Sequence, residues 1–133
     1  MGHRPEKLSL GPLEREILEL LWTLHTATVR QIHDRLLADP NRELTSASVM
    51  TVLQRLRQKG WTDFTKRGRI LHWYAKVNAQ EAQTLEARDR LQKFLAVSNP
   101  DVVAAFADEL DRPSLEQFEA IAQRLRTLRE QQP

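Results

Sequence analysis

A chain of 133 residues with 41% hydrophobic and 29% charged residues has globular composition and room for one domain, or one domain with an appendage. It holds no cysteine, which excludes disulfides, thiolate metal sites and thiol catalysis and agrees with a reducing cytoplasm, the expected location. The net charge of +2 is unevenly spread: residues 1–78 carry thirteen Lys+Arg against eight Asp+Glu, and residues 79–133 seven against ten.

The opening residues MGHRPEKLSL contain no long apolar run, so no secretory leader is expected and Met1–Ser9 reads as a loose tail. No stretch approaches the roughly 18 apolar residues of a membrane span, so no membrane partner is expected. Gly11-Pro12 punctuates the chain, and Pro12 suits a first helical turn. Leu13, Ile17, Leu20, Leu21 and Leu24 then mark a helix over about 12–25, with Trp22 on its flank. Thr28 is a natural N-cap for a second helix over about 29–38, with Val29, Ile32, Leu36 and Leu37 inward. Thr45 or Ser46 caps a third, whose stripe is Val49, Val52, Leu53 and Leu56 and whose end is Gly60.

The period then changes. Trp61–Thr65 alternates, and Ile70–Val77 does so in part, around the basic turn Lys66-Arg67-Gly68-Arg69, which reads as a hairpin. From Ala79 the helical period returns, with Ala82, Leu85, Leu91, Phe94 and Leu95 apolar as far as Val97. Asp101–Leu110 is a shorter helix, and Ser114 with Gln117 matches a capping box for a last one over about 114–131. The boundary is set at 78. The helices after it are amphipathic and need a burial surface, for which a partner subunit is expected.

Between Thr45 and Lys76 seven basic residues face one acid, Asp63. That footprint suits a polyanion. Two helices on a short linker followed by a basic hairpin resemble a winged helix-turn-helix, in which the second helix of the pair enters the major groove. The fold class is therefore mainly α, a winged helix-turn-helix DNA-binding domain plus a C-terminal helical dimerisation domain. Ser46, Ala47, Ser48, Met50 and Thr51 are the small groove-facing positions, with Gln54 and Arg55 one turn later. Ser48, Thr51 and Gln54 are expected on base edges; Arg55, Arg57, Lys59 and the turn bases Lys66, Arg67 and Arg69 are expected on phosphates. The expected partner is double-stranded operator DNA.

Leu10-Gly11-Pro12-Leu13-Glu14-Arg15-Glu16-Ile17-Leu18-Glu19-Leu20-Leu21-Trp22 resembles the opening of the penicillinase-repressor (BlaI/MecI/CopY) family. The likeness continues through Val29-Arg30-Gln31-Ile32, Ser48-Val49-Met50-Thr51-Val52-Leu53-Gln54-Arg55-Leu56 and Lys59-Gly60-Trp61, with Gly68-Arg69 and Tyr74 at the family's spacing. It covers residues 10–78 well and 79–133 in layout. It implies a homodimeric transcriptional repressor on a two-fold symmetric operator, with Ala47, Ser48, Met50, Thr51 and Arg55 facing DNA. Relatives often carry longer basic or polar side chains where Ala47 and Met50 sit, so the family's operator does not transfer. In one branch the resemblance implies a sensor protease as partner and cleavage near Ala105-Phe106, where this chain has Ala-Phe in place of Asn-Phe. The thiolate copper site of another branch is excluded by the lack of cysteine. Dimer contact is expected through Phe94, Phe106, Phe118, Ile121 and Leu125.

Catalysis has no support in the pattern. His3, His25, His33 and His72 form no helical ligand pair, no glycine-rich phosphate loop follows a strand, and Ser46 and Ser48 lack a neighbouring His. No cofactor and no metal are expected. Trp22, Trp61 and Trp73 read as packing residues. Two alternatives stand beside the repressor: a winged-helix protein-interaction module, and a DNA-binding regulator controlled by a small-molecule effector.

Overall fold

Three helices, a hairpin and three further helices follow one another as the periodicity predicts. In a computed structural model they are α1 (Pro12–Leu24), α2 (Val29–Leu36), α3 (Ser46–Lys59), β1 (Thr62–Arg67), β2 (Ile70–Ala75), α4 (Ala79–Val97), α5 (Pro100–Ala107) and α6 (Arg112–Glu130). The structure describes residues 3–97 and 99–132, without the side chains at 103, 106 and 107. Two compact units result, Met1–Arg90 and Leu91–Pro133.

The first three helices begin where a cap is supplied. The Gly11 N–H donates to Glu14 Oε1 (2.8 Å) ahead of Pro12. At α2 the box is reciprocal: Gln31 N–H donates to Thr28 Oγ1 (3.2 Å), and Thr28 N–H donates to Gln31 Oε1 (2.9 Å). Thr45, not Ser46, caps α3, accepting from the Ser48 N–H at 3.1 Å. Gly60 ends α3 with φ 93°, and a Cβ there would lie 3.0 Å from Pro5 Cα, so conformation and close approach both require glycine.

The core of the first unit is one cluster. Ile17, Leu18 and Leu21 of α1 meet Ile32 and Leu36 of α2 and Val49, Val52, Leu53 and Leu56 of α3. Trp61 and Trp73 fill the space under the hairpin, and Trp22 donates Nε1–H to the Val77 carbonyl at 2.7 Å. The three indoles are packing residues, as expected. With its apolar stripe spent on this cluster, at about 1.5–3 kcal/mol per large aliphatic side chain, α3 has its opposite face left over.

Several details depart from expectation. Leu37 is exposed because α2 stops at Leu36. The tail is not loose from residue 3 on: Lys7 N–H donates to the Lys59 carbonyl (3.3 Å), Trp61 Nε1–H to the Lys7 carbonyl (2.8 Å), and His3 Nε2–H to the Gly60 carbonyl (2.7 Å). The bonds from Lys7 and His3 satisfy carbonyls that the end of α3 would otherwise leave open. The break at Thr26–Thr28 is also a sheet element, since Ala27 and Trp73 exchange both backbone hydrogen bonds. His25 before it takes φ 68°, ψ −55°, and the Thr26 N–H donates to the Leu24 carbonyl at 2.8 Å, a γ-turn with positive φ.

The division between units falls inside α4. Its first half packs on the first core through buried Ala82 and half-buried Leu85, and Glu86 pairs with Arg15 at 2.5 Å. Leu91 and Leu95, apolar positions of the expected stripe, are exposed. In the second unit α6 opens two residues early, at Arg112. Asp111, rather than Ser114, is the cap, because Pro113 tolerates the first turn and Asp111 Oδ1 accepts from the Ser114 N–H at 2.8 Å. The Ser114 hydroxyl and N–H hold the Asp111 carboxyl below the usual carboxylate range.

Candidate nucleic-acid interface

Ser46, Ala47, Ser48, Thr51, Gln54 and Arg55 are exposed on α3, and Met50 is half-buried beside them. Their hydroxyls are not all free. Thr51 Oγ1 donates to the Ala47 carbonyl at 3.0 Å. Ser48 Oγ and Thr45 Oγ1 lie 2.9 Å apart and share a hydrogen bond. His33 Nε2–H donates to the Leu44 carbonyl (2.6 Å), which leaves Nδ1 as the acceptor facing Ser46 Oγ at 3.5 Å. Gln54 and Arg55 have no hydrogen-bond partner or ion pair among the described residues.

The hairpin stands next to this face. Its register runs from Thr62↔Ala75 to Arg67↔Ile70, so Lys66 and Arg67 are strand residues and Gly68-Arg69 alone makes the turn. Gly68 has φ 63° at the first central position, as a two-residue II′-type turn requires. Lys66, Arg67 and Arg69 are exposed and unpaired among the described residues.

The hairpin is tied to α3 at its base. Thr62 Oγ1 donates to the Leu53 carbonyl at 3.2 Å. Arg57 Nε donates to Asp63 Oδ1 at 3.0 Å, and its guanidinium lies 4.7 Å from the Phe64 ring centroid. Phe64 in turn meets Trp73 with ring centroids 5.0 Å apart. The Phe64 backbone N–H, with Arg57 behind it, holds the Asp63 carboxyl below its usual range. A groove of about 660 Å³ runs between these elements, lined by Gln54, Gln58 and Lys76 among others.

Two of the expected phosphate contacts are committed elsewhere. Lys59 Nζ donates to Glu14 Oε1 at 2.8 Å and to the Ser9 carbonyl at 2.9 Å, and its side chain is only 19% exposed. Arg57 serves the hairpin base. Arg30 is the converse case. It was prominent in the sequence only as part of a family match, yet it is exposed, unpaired among the described residues, and shares a cleft of about 400 Å³ with Arg69, Met50 and Ile70. Its position on the polar face of α2 was the available signal.

In the second unit Phe118, Ile121 and Leu125 are 57%, 53% and 55% exposed along one side of α6, flanked by Leu115 and Leu128. Phe94 is half-buried, and Ala105 is exposed on α5. The side chain of Phe106, expected in both the dimer contact and the cleavage pair, lies outside the described residues. Among the described residues no three His, Asp or Glu side chains come together as a metal site, and no helix is long and apolar enough to cross a membrane.

The chain is similar in sequence to known proteins. Over 73 residues the chain is 41% identical to the transcriptional regulator BlaI of Mycobacterium tuberculosis, covering 54% of this chain and 51% of that protein. Over 96 residues it is 25% identical to an uncharacterised 16.5 kDa protein of Latilactobacillus sakei, covering 72% of this chain and 64% of that one. It thus spans about half to two thirds of the length of these curated relatives. The solution structure of the DNA-binding domain of the repressor BlaI aligns with a TM-score of 0.48 at 18% identity, over 61% of this chain and 93% of that one. The sequence pattern of the penicillinase repressors matches residues 10–127, which takes in most of both units, and the chain belongs to the penicillinase repressor family.

Proposed function

We propose that the chain is a sequence-specific transcriptional repressor that binds double-stranded DNA as a homodimer on a two-fold symmetric operator. One observation carries the reading: α3 leaves a face of small side chains uncovered beside a hairpin whose Lys66, Arg67 and Arg69 have no intramolecular partner among the described residues. Charges that nothing in the fold uses suit phosphates, and small side chains let a helix backbone approach base edges. The named relative being a transcriptional regulator supports the same reading. The family is one of regulators, and the protein is not an enzyme.

In this mechanism the core holds α3 by Val49, Val52, Leu53 and Leu56 and presents Ala47, Met50, Thr51, Gln54 and Arg55 to the major groove. Arg55 and the three hairpin cations neutralise phosphates. Four such contacts per protomer correspond to a slope of roughly −7 in log K against log salt for the dimer. The uncovered α6 stripe of Leu115, Phe118, Ile121, Leu125 and Leu128 supports self-association, since apolar side chains exposed at helical spacing gain by meeting a second copy. Joining two readers multiplies the affinity of each half-site. Relief by proteolysis at Ala105-Phe106 is part of the proposal. That pair lies within α5, so the helix must open before a protease reaches its backbone.

Selection from a randomised DNA pool, followed by affinities over a salt series, tests the reading. An enriched palindrome with a steep salt slope supports it. Weak, sequence-blind binding refutes it and leaves a protein-binding winged helix or a regulator that needs a small-molecule effector.

A further inference from the structure

We infer that residues 3–9 position α3 for DNA recognition, with His3 and Lys7 as positioning residues that act through the Lys59-Gly60-Trp61 joint between α3 and the hairpin; this rests on the DNA-binding reading. Residues 3–9 run across that joint and bond to each of its residues. The Lys7 N–H donates to the Lys59 carbonyl at 3.3 Å, and Lys59 Nζ donates to the Ser9 carbonyl at 2.9 Å. His3 Nε2–H donates to the Gly60 carbonyl at 2.7 Å, and Trp61 Nε1–H to the Lys7 carbonyl at 2.8 Å. Pro5 is buried, and a Cβ on Gly60 would lie 3.0 Å from its Cα. Among the described residues, only Glu14 on Lys59 and the Lys76 N–H on the Trp61 carbonyl reach the joint from elsewhere with polar bonds.

Two observations separate this brace from ordinary core packing. Of residues 3–9 only Leu8 joins the apolar cluster, so the segment holds the joint mainly by hydrogen bonds. The penicillinase-repressor pattern begins at residue 10, so the brace precedes the matched residues. The joint matters because α3 and the hairpin must meet one duplex together. Hydrogen bonds to base edges weaken steeply when a donor is misaligned, whereas the attraction of a cation to phosphates tolerates a shift. A loosened joint therefore costs specific binding and spares the sequence-blind part. His3 and Lys7 need touch no DNA: they keep Gln54 and Arg55 aligned with the groove while Lys66, Arg67 and Arg69 lie on the backbone.

The test uses the palindromic duplex enriched from the randomised pool and a scrambled duplex of equal length. The full chain is compared with His3→Ala, His3→Gln and a chain without residues 2–7, with folding checked by circular dichroism at the assay temperature. His3→Ala should weaken binding to the enriched duplex about fivefold, roughly the worth of one hydrogen bond. His3→Gln, which keeps a donor in reach of the Gly60 carbonyl, should restore most of that loss. The shortened chain lacks three of the four bonds and should lose more than about tenfold. Affinity for the scrambled duplex should stay within about twofold, with its salt slope unchanged. Unchanged affinity of His3→Ala and of the shortened chain for the enriched duplex overturns the inference. An equal loss on both duplexes, the mark of a purely structural role, overturns it too, as does a His3→Gln variant as weak as His3→Ala. In these cases DNA binding itself stands. Should the shortened chain not fold, His3→Ala, a change at an exposed residue, decides alone. Failure to enrich any duplex overturns the DNA-binding reading and this inference with it.

Discussion

Glu14→Gln separates the charges that build the first unit from those left for a ligand. Glu14 is 6% exposed, and its Oε1 accepts from both Lys59 Nζ and the Gly11 N–H at 2.8 Å. Lys59 sits in the last turn of α3, so the pair joins the start of α1 to the end of the helix proposed to read DNA. Glutamine keeps the shape and an acceptor for Gly11, but leaves a mostly buried ammonium without its counter-charge. Breaking a fully buried pair from one side costs about 3–5 kcal/mol. Lys59 keeps the Ser9 carbonyl and is 19% exposed, so about 2 kcal/mol is expected here. For a unit of this size that lowers Tm by roughly 10 °C.

Removing both charges should cost much less. Glu14→Gln with Lys59→Met leaves no orphan ion, so the double variant should recover about half or more of the loss, in urea titrations read as a double-mutant cycle. The same variants decide the role of Lys59. If it contacted phosphate, Lys59→Met would reduce the salt slope of DNA binding; held by Glu14, it should leave the slope unchanged. Glu14→Gln costing under about 0.5 kcal/mol, or a zero coupling energy with a reduced slope in Lys59→Met, would refute the reasoning.

Other positions give sharp expectations. Arg55→Ala should weaken binding to all sequences and reduce the slope by about 2 for the dimer, one phosphate per protomer; an unchanged slope makes Arg55 a solvated residue. His25→Gly should raise stability by about 1 kcal/mol, since glycine occupies positive φ without the steric penalty; a loss in urea titration would mean that the imidazole has a packing role. Phe118→Asp should give monomers in analytical ultracentrifugation, and wild-type sedimentation would misplace the proposed dimer face. Asp63, with its folded pKa lowered by the Phe64 N–H and Arg57, contributes stability that is present above its unfolded value and lost as pH falls through the folded one. Asp63→Asn should therefore lose less of its urea midpoint than wild type between neutral and strongly acid pH; an equal loss would assign the acid sensitivity to other carboxyls.

The periodicity revealed the helices because each stripe of the first unit ends in one shared cluster. Val49, Val52, Leu53 and Leu56 are readable as a stripe from spacing alone, and Gly60 as its stop. What spacing misses depends on distant partners. Nothing near Lys7 or His3 in the chain announces that their bonds run to Lys59 and Gly60, more than fifty positions away. Ala27 is short and unpatterned, and only the fold of β2 gives it the Trp73 backbone to pair with. At α6 the local pattern pointed to Ser114, and Asp111 caps the helix instead because proline does not bar a first turn.

The candidate interface was legible as a list of residue types but not as a list of available groups. Seven cations between Thr45 and Lys76 looked equivalent in the sequence. Folding takes Lys59 for Glu14 and Arg57 for Asp63, while Arg30 joins from a helix outside that stretch. The hydroxyls divide in the same way. Thr51 looked like a donor to a base and is a donor to its own helix. Charge counted along a chain thus overstates what a ligand meets, and polarity counted by residue type overstates the donors on a helix face. A threonine whose proton is bonded at home offers a base edge only a methyl group and an acceptor oxygen.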